Sequence, residues 1–313
     1  MDTEKTRAFL LHLLLIFFIS SSLNNNLIRA SDTISKGQFL AGNQTIISKG
    51  GKFELGFFTP GNSHNYYIGI WYKNIPGQTV IWVANRAAPV ADPSASKLTV
   101  TDTGNLLLFK NSSKNPVWSS NSTSSSAESP AAVLLDTGNL VLINGSNSDS
   151  YLWESFNHPT DTWMPGGWLG VNKITGEYQS LTSWKNSDDP APGLFTESMD
   201  PDGSNQYVML WNGSEIYWSS GLWNGQFFSN VPGTKENTVF NFSFIDNKER
   251  KYATYTILDS SLLTRCMVDT SGLVRQWFWL TSSQQWQTVF TQPLHRCDVY
   301  SLCGPFGVCD EKS

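Results

Sequence analysis

The stretch Asp102-Thr103-Gly104-Asn105-Leu106-Leu107-Leu108-Phe109 occurs a second time, as Asp136-Thr137-Gly138-Asn139-Leu140-Val141-Leu142-Ile143. In both copies a polar tract follows and leads to a tryptophan, Trp118 or Trp153. Looser versions begin at Asp202-Gly203 and at Asp269-Thr270-Ser271-Gly272 and lead to Trp218 and Trp286. A unit that recurs at nearly constant spacing indicates a stacked or rotated architecture. We interpret each unit as a tight turn, a strand, a polar loop and a second strand that carries the tryptophan.

The chemistry of the unit favours a β-hairpin that must share its core. Asp-Thr-Gly supplies a side chain that bonds nearby backbone and a glycine that accepts positive φ, as hairpin turns require. Side chains alternate along a strand, so Leu106 and Leu108 should face inward and Asn105, Leu107 and Phe109 the other side. An isolated hairpin is marginal in water. We therefore predict a closed all-β structure whose core contains Trp71, Trp82, Trp118 and Trp153.

Composition bounds the class of protein. The chain has 313 residues, 13 Trp, 18 Phe and 10 Tyr, with 15% charged residues, which is enough apolar material for more than one core. Its net charge is −5, and it shows no basic stripe, so a nucleic acid is not an expected partner.

The N-terminus resembles a secretory leader. Lys5 and Arg7 precede an apolar run from Ala8 to Ile19, and Ala30 is a plausible cleavage end. We predict a signal peptide over residues 1–31 and a secreted protein. No later stretch is long and apolar enough for a transmembrane helix.

Six N-x-[ST] sequons agree with a secretory route. They begin at Asn43, Asn111, Asn121, Asn144, Asn212 and Asn241.

Several longer stretches carry a family resemblance. They are Asp32-Thr33-Ile34-Ser35, Gly51-Lys52-Phe53-Glu54-Leu55-Gly56-Phe57-Phe58, Ile81-Trp82-Val83-Ala84-Asn85-Arg86, Trp153-Glu154-Ser155-Phe156-Asn157-His158-Pro159-Thr160-Asp161-Thr162, Leu181-Thr182-Ser183-Trp184-Lys185 with Asp188-Asp189-Pro190, Trp218-Ser219-Ser220-Gly221-Leu222-Trp223-Asn224-Gly225, and Cys297-Asp298-Val299-Tyr300-Ser301-Leu302-Cys303-Gly304-Pro305-Phe306-Gly307-Val308-Cys309. With these the chain resembles the ectodomain of plant bulb-type (G-type) lectin S-receptor-like kinases and S-locus glycoproteins.

The resemblance implies a domain order. A bulb-type lectin domain, a β-prism of three four-stranded sheets, is expected over residues 32–155, and an S-locus glycoprotein domain, a second lectin-like β domain, over 156–292. The start of a disulfide-bonded EGF-like module is expected over 293–313. The remainder of that module, the PAN/apple domain, the membrane helix and the kinase of the relatives are not in this chain, so truncation in biology and a gene-model artefact are both open.

The cysteines are unevenly placed. In a secreted chain the cluster of Cys297, Cys303 and Cys309 favours disulfides over a metal site. The resemblance implies a Cys297–Cys309 bond and a partner for Cys303 beyond Ser313. Cys266 does not fit the family pattern, and its state is left open.

The resemblance also implies candidate sugar-binding positions. Bulb lectins carry Q-x-D-x-N-x-V-x-Y, which binds mannose through alternate side chains on one sheet face. The corresponding candidates are Asp102, Asn105, Phe109, Asp136 and Asn139, although Thr101 and Leu135 replace the glutamine, and Asp102 is out of phase unless Gly104 forms a bulge. The other interpretation is that these Asp and Asn residues hold turns.

No catalytic motif is present: kinase loops, G-x-S-x-G and H-E-x-x-H are all missing from the sequence. We expect no catalytic residues, cofactor or metal. His158 and Asp161 are interpreted as parts of a turn around Pro159. A secreted carbohydrate-active hydrolase is the alternative, because Glu154, Glu177 and Glu197 are available as carboxylates.

We therefore expect an extracellular recognition module that binds a carbohydrate or a peptide/protein ligand. By resemblance its role is cell recognition, such as recognition of pollen, or immune perception. A homodimer, a membrane co-receptor and a soluble decoy of a membrane receptor are open possibilities, as is the identity of the ligand.

Overall fold

The structure is a computed structural model that describes residues 31–111, 113–122, 128–145, 150–234, 238–304 and 306–310. All but the last residue of the predicted leader lies outside these ranges. Within them, no helix is long and apolar enough to span a membrane. The chain from Asp32 to Ser313 forms one compact unit.

Residues 33–154 supply the first twelve strands. They are β1 (Thr33–Ser35), β2 (Phe39–Leu40), β3 (Thr45–Ile47), β4 (Phe53–Phe58), β5 (Tyr67–Tyr72), β6 (Val80–Val83), β7 (Ser96–Val100), β8 (Leu106–Lys110), β9 (Trp118–Ser119), β10 (Pro130–Leu134), β11 (Leu140–Asn144) and β12 (Trp153–Glu154). They form three antiparallel four-stranded sheets of order β3-β4-β5-β6, β2-β7-β8-β9 and β1-β10-β11-β12. We call this group of sheets the first prism.

The repeated stretch folds as predicted. Gly104 and Gly138 have φ of +75° and +85° in their turns, a conformation that glycine adopts without steric cost. Strand β8 follows the first turn, and Leu106 and Leu108 are fully buried at 0% exposure, whereas Leu107 on the other face is half-buried. Each buried leucine contributes about 1.5–3 kcal/mol, so the alternation fixes which face turns inward.

Residues 162–292 form a second group of twelve strands. They are β13 (Thr162–Trp163), β14 (Trp168–Asn172), β15 (Tyr178–Gln179), β16 (Leu181–Asn186), β17 (Asp189–Met199), β18 (Tyr207–Trp211), β19 (Glu215–Ser219), β20 (Phe240–Asp246), β21 (Arg250–Ile257), β22 (Thr264–Val268), β23 (Val274–Leu280) and β24 (Gln285–Gln292). Their sheets have the order β16-β17-β18-β19, β15-β14-β21-β20 and β13-β22-β23-β24. We call this group the second prism.

The all-β prediction is therefore confirmed, with short 3-10 turns at Ser155–Asn157, Pro232–Thr234 and Arg296–Asp298 as the helical segments of the described chain. The predicted domain boundary at 155/156 falls between β12 and β13 and stays a prediction, as does the EGF-like module. The Cys297 and Cys309 sulfurs form a disulfide, while the Cys266 thiol is free and buried and the Cys303 thiol is free and exposed.

Arg86 connects the two prisms. It lies just after β6 of the first prism and donates from Nε to the carbonyl oxygen of Pro190 at 2.6 Å. Its Nη2 donates to the carbonyl oxygens of Thr182 and Ser183 at 2.9 and 2.8 Å. All three acceptors belong to the β16–β17 hairpin of the second prism. A guanidinium has enough donors in a fixed fork to satisfy these carbonyls at once.

An aromatic cluster lies beside Arg86. Phe58 and Trp71 of the first prism pack with Trp184 of the second, the Phe58 and Trp184 ring centroids being 6.3 Å apart. Trp71, predicted as part of a common core, belongs to this junction cluster.

Candidate functional site

One end of the first prism is closed by three tryptophans, one from the last strand of each sheet. The Trp82, Trp118 and Trp153 rings meet edge to face, with centroid separations of 5.9, 5.9 and 6.1 Å. This is the arrangement that aromatic quadrupoles favour. Trp82 and Trp153 are buried, but Trp118 is only half-buried. The predicted core role therefore holds only in part for Trp118, because one side of its ring faces solvent and lines a groove.

Asn105, a candidate sugar ligand, supports the loop beside this groove. Its Oδ1 accepts hydrogen bonds from Ser119 Oγ at 3.2 Å, from Ser120 Oγ at 2.6 Å and from the Ser122 backbone N–H at 3.3 Å. Ser120 Oγ in turn accepts from the Leu106 backbone N–H at 3.0 Å. The side-chain oxygen of Asn105 is thus engaged inside the protein.

Asn139 has the same role in the second copy. Its Oδ1 accepts from Ser155 Oγ at 3.0 Å and from the Phe156 N–H at 3.1 Å, and its Nδ2 donates to Glu154 Oε2 at 2.8 Å. The residue is 5% exposed. Asn139 therefore fixes the chain that leads from β12 to His158.

The other three candidates lie apart. Asp102 is exposed, and its carboxylate pairs with Lys36 Nζ at 3.0 Å. Asp136 accepts from the Gly50 N–H through both carboxylate oxygens, at 2.7 and 2.9 Å. Phe109 is half-buried, with Lys97 Nζ 5.6 Å from its ring centroid. Phe109 lies in β8, and the other four candidates lie in the turns before β8 and β11, which belong to different sheets, so the structure does not bring the five into one site. Their binding of sugar stays a prediction.

A groove instead runs from the tryptophan end of the first prism onto the second prism. Its two parts have volumes of about 670 and 450 Å³ and share His158 and Glu177. The first-prism wall includes Trp118, Ser119, Asn121 and Ser122, and the second-prism wall includes Trp168, Tyr178 and Arg250. We call this feature the inter-prism groove. It has the volume of a ligand-binding cleft.

Aromatic and polar groups alternate in the groove. Trp168 Nε1 donates to Asn157 Oδ1 at 2.8 Å, which fixes the indole, and the Arg250 guanidinium lies over the same ring at 4.9 Å. Glu177 and Tyr178 are exposed. Glu177 Oε2 accepts a hydrogen bond from Thr175 Oγ1 at 3.1 Å, at the exposed surface. The walls therefore present a fixed indole ring beside an exposed carboxylate and a guanidinium.

His158 is held at the centre of the groove by ring stacking. Its imidazole lies 5.3 Å from the Trp153 ring at an interplanar angle of 10°, and its carbonyl oxygen accepts from Trp82 Nε1 at 2.8 Å. Partial burial lowers the pKa of His158, and this effect outweighs the nearby Glu177 and Glu154 carboxylates. The imidazole is therefore neutral at neutral pH.

Asp161 is withdrawn from the groove. It is 3% exposed, it accepts from Thr160 Oγ1 at 3.1 Å, and burial raises its pKa against the opposing charges of Arg86 and Arg265. These contacts agree with the structural interpretation of His158 and Asp161 as parts of one turn.

The three carboxylates considered for hydrolysis have different surroundings. Glu154 accepts from Asn139 Nδ2 and, at 3.0 Å, from Asn157 Nδ2, while Glu177 lines the groove. Glu197 lines a separate cavity inside the second prism. Across the part of the chain that the structure describes, no group of three or more His, Cys, Asp or Glu side chains is arranged to hold a metal.

The sequon asparagines are mostly exposed: Asn43, Asn111, Asn121, Asn212 and Asn241. Asn144 is half-buried, and its Oδ1 accepts from the backbone N–H groups of Glu128 and Ser129 at 2.8 and 3.4 Å. Glycosylation of all six stays a prediction.

Residues 157–179 and Arg250 had no role in the predicted sugar site. Residues 157–162 belong to a stretch that carries the family resemblance, but nothing in that stretch indicates a groove, because the groove exists only once the two prisms pack together.

Comparison with known families finds two matches in this chain. Residues 79–185 match the D-mannose binding lectin family, and residues 218–313 match the S-locus glycoprotein domain. A G-type lectin S-receptor-like serine/threonine-protein kinase of Arabidopsis thaliana is 46% identical over 95% of this chain and 36% of its own length. Receptor-like serine/threonine-protein kinase SD1-7 of the same plant is 38% identical over 98% of this chain and 35% of its own length. The chain spans about a third of the length of these curated relatives.

Among solved structures, a two-domain fetuin-binding lectin from Scilla campanulata is similar over 83% of this chain and 87% of its own, at 12% identity and a TM-score of 0.27.

Proposed function

Because this chain belongs to the plant family that joins a D-mannose binding lectin domain to an S-locus glycoprotein domain, we propose that it is an extracellular, non-catalytic recognition module that binds a glycan in the inter-prism groove. The observation that carries the proposal is the groove itself, in which fixed aromatic rings lie beside polar side chains from both prisms. Sugar rings offer one apolar face and a rim of hydroxyl groups, and such walls complement both.

The groove is a better candidate than the predicted positions Asn105 and Asn139, because the side-chain oxygens of these two residues already accept hydrogen bonds within the protein. Glu177 and Tyr178, in contrast, are exposed on the groove wall, and the one side-chain hydrogen bond to Glu177, from Thr175 to Oε2, leaves Oε1 open to a ligand. A buried polar group that is already paired gains little from a ligand, whereas an exposed one is available.

The proposed biological role is cell-surface recognition, such as recognition of pollen or immune perception. In the longer relatives that the name serine/threonine-protein kinase describes, binding of this kind would be coupled to a kinase. A catalytic role is disfavoured because Glu154 is held by two amide donors and His158 is stacked on Trp153. Incubation with aryl-glycosides should therefore give no turnover by purified protein.

A glycan array followed by titration of the best ligand tests the proposal. Tyr178→Ala and Glu177→Gln should each weaken binding about tenfold, since loss of one well-placed contact costs about 1–1.5 kcal/mol. Both side chains are exposed, so the variants should fold. The matched control is Asp102→Asn, which alters an exposed carboxylate at one of the predicted sugar-binding positions. Weaker binding in the control, with the groove variants unaffected, would instead place the sugar on the strand face. Binding of peptides but not glycans would overturn the proposed ligand class.

A further inference from the structure

The tryptophan-bearing strand ends of the two prisms share one register. In each case the tryptophan pairs with a residue of the preceding strand. A side-chain oxygen two or three residues after the tryptophan then accepts a hydrogen bond from the backbone N–H of the residue two positions before that pairing partner. The sets are Trp82 with Ile70 and Asn85 with Ile68; Trp118 with Leu108 and Ser120 with Leu106; Trp153 with Leu142 and Ser155 with Leu140; and Trp218 with Met209 and Ser220 with Tyr207. Trp218 is thus the second-prism equivalent of the three closing indoles.

The second prism is not closed in the same way. A cavity of about 50 Å³ adjoins Trp218, and Phe242 and Phe290 line it from the other two sheets. In the first prism the three closing indoles instead pack edge to face against one another. Trp218, Phe242 and Phe290 are only half-buried, which gives a small molecule a route past their side chains.

Two polar atoms of opposite character line this aromatic cavity without a partner. Among the residues that the structure describes, Glu197 Oε2 is shielded from solvent and accepts no hydrogen bond, and Trp163 Nε1, on a residue 8% exposed, donates none. Burial alone raises the pKa of Glu197 to about 7, so within the described chain no cation offsets its charge. Burial and the charge of Glu197 both raise the pKa of three nearby groups, Tyr207, Tyr217 and Cys266, all of which are neutral.

We propose that this cavity binds a small protonated amine, whose ammonium group pairs with Glu197 among the aromatic rings of the second prism. An ammonium supplies the charge and the donors that the carboxylate lacks, and aromatic rings attract cations. Trp163 Nε1 adds a preference for an oxygen acceptor on the same molecule. The cavity has about a third of the volume of an engineered apolar cavity of about 150 Å³ that holds benzene, so it favours a ligand smaller than an aromatic ring. A two-carbon amino alcohol fits these requirements.

Ethanolamine hydrochloride is the probe, with ethylene glycol as the neutral analogue and sodium chloride as the ionic-strength control. At pH 8, ethanolamine should give a saturable change in tryptophan fluorescence and a rise in thermal midpoint, and saturation-transfer NMR should show contact between its methylene groups and the protein. Ethylene glycol and sodium chloride should not. Because only ionised Glu197 attracts the cation, the apparent affinity should fall about a hundredfold between pH 8 and pH 5.

Two variants make the test specific. Glu197→Gln keeps the shape of the side chain and should abolish saturable binding, whereas Glu215→Gln, which removes an exposed carboxylate from β19 of the same sheet, should leave it intact. The proposal would be overturned by equal responses to ethanolamine and ethylene glycol, or by saturable binding that survives Glu197→Gln. It would also be overturned if the cavity contained only water when ethanolamine is saturating. The site is separate from the inter-prism groove, so this result is independent of glycan binding.

Discussion

Replacing Arg86 by methionine should destabilise the junction of the two prisms. The guanidinium gives three hydrogen bonds of 2.6–2.9 Å to carbonyl oxygens of the β16–β17 hairpin, and it is one of the two charges that oppose the effect of burial on Asp161. Methionine fills a similar volume but leaves the three carbonyl oxygens without a donor. Arg265 is then the only positive charge of the two that still favours ionised Asp161. Removal of one partner from a buried charged network costs about 3–5 kcal/mol. Since Arg86 is half-buried, we expect the lower end, about 3 kcal/mol.

Urea denaturation at pH 7 gives the free energy of unfolding, with Lys36→Met as the matched control. Lys36 makes an exposed ion pair with Asp102, so its loss should cost less than about 1 kcal/mol. Arg86→Lys should recover little of the loss, because an ammonium cannot reproduce the fork of three donors. A loss below about 1 kcal/mol for Arg86→Met, or full recovery by lysine, would refute the reasoning.

Three further predictions follow from other sites. The Glu197→Gln variant should be up to about 3 kcal/mol more stable than wild type at pH 8 and differ little from it at pH 4.5. Because folding raises the pKa of Glu197, the protonated side chain is tolerated at low pH, and wild type loses stability as the pH rises through about 7. Urea denaturation at both pH values checks the sign. Asn139→Ala should lower the free energy of unfolding by about 2–4 kcal/mol, and Asn105→Ala should lower it by less, because Asn139 is buried and its amide donates as well as accepts. Equal effects of the two variants in thermal unfolding would argue against this difference. A thiol-reactive dye should label Cys303 in the native protein and Cys266 only after denaturation, because Cys266 is buried and burial raises its pKa; native labelling of Cys266 would contradict the buried position.

Much of the fold could be predicted from local chemistry. The Asp-Thr-Gly turn, the alternation of Leu106 with Leu107 and the following tryptophan all depend on neighbours in sequence, and the structure confirms them. The status of Trp118 could not be predicted in full, because its exposure depends on a groove formed with the second prism.

The candidate site was harder to predict. Asn105 and Asn139 match a sugar-binding motif in type and spacing, yet their oxygens bond serines far along the chain. That contact depends on the pairing of β8 with β9 and of β11 with β12. Glu197 lies two residues before the buried Met199 on the same face of β17, so alternation places it inward, but the cavity that it lines is formed by strands far apart in the sequence.

The most direct test of glycan recognition is a crystal structure of the protein with the tightest ligand from the array. We predict sugar density between the two prisms, in contact with Trp168, Glu177 and Tyr178. Density against Asn105 and Phe109 on the face of β8, with the groove unoccupied by sugar, would contradict the proposed site.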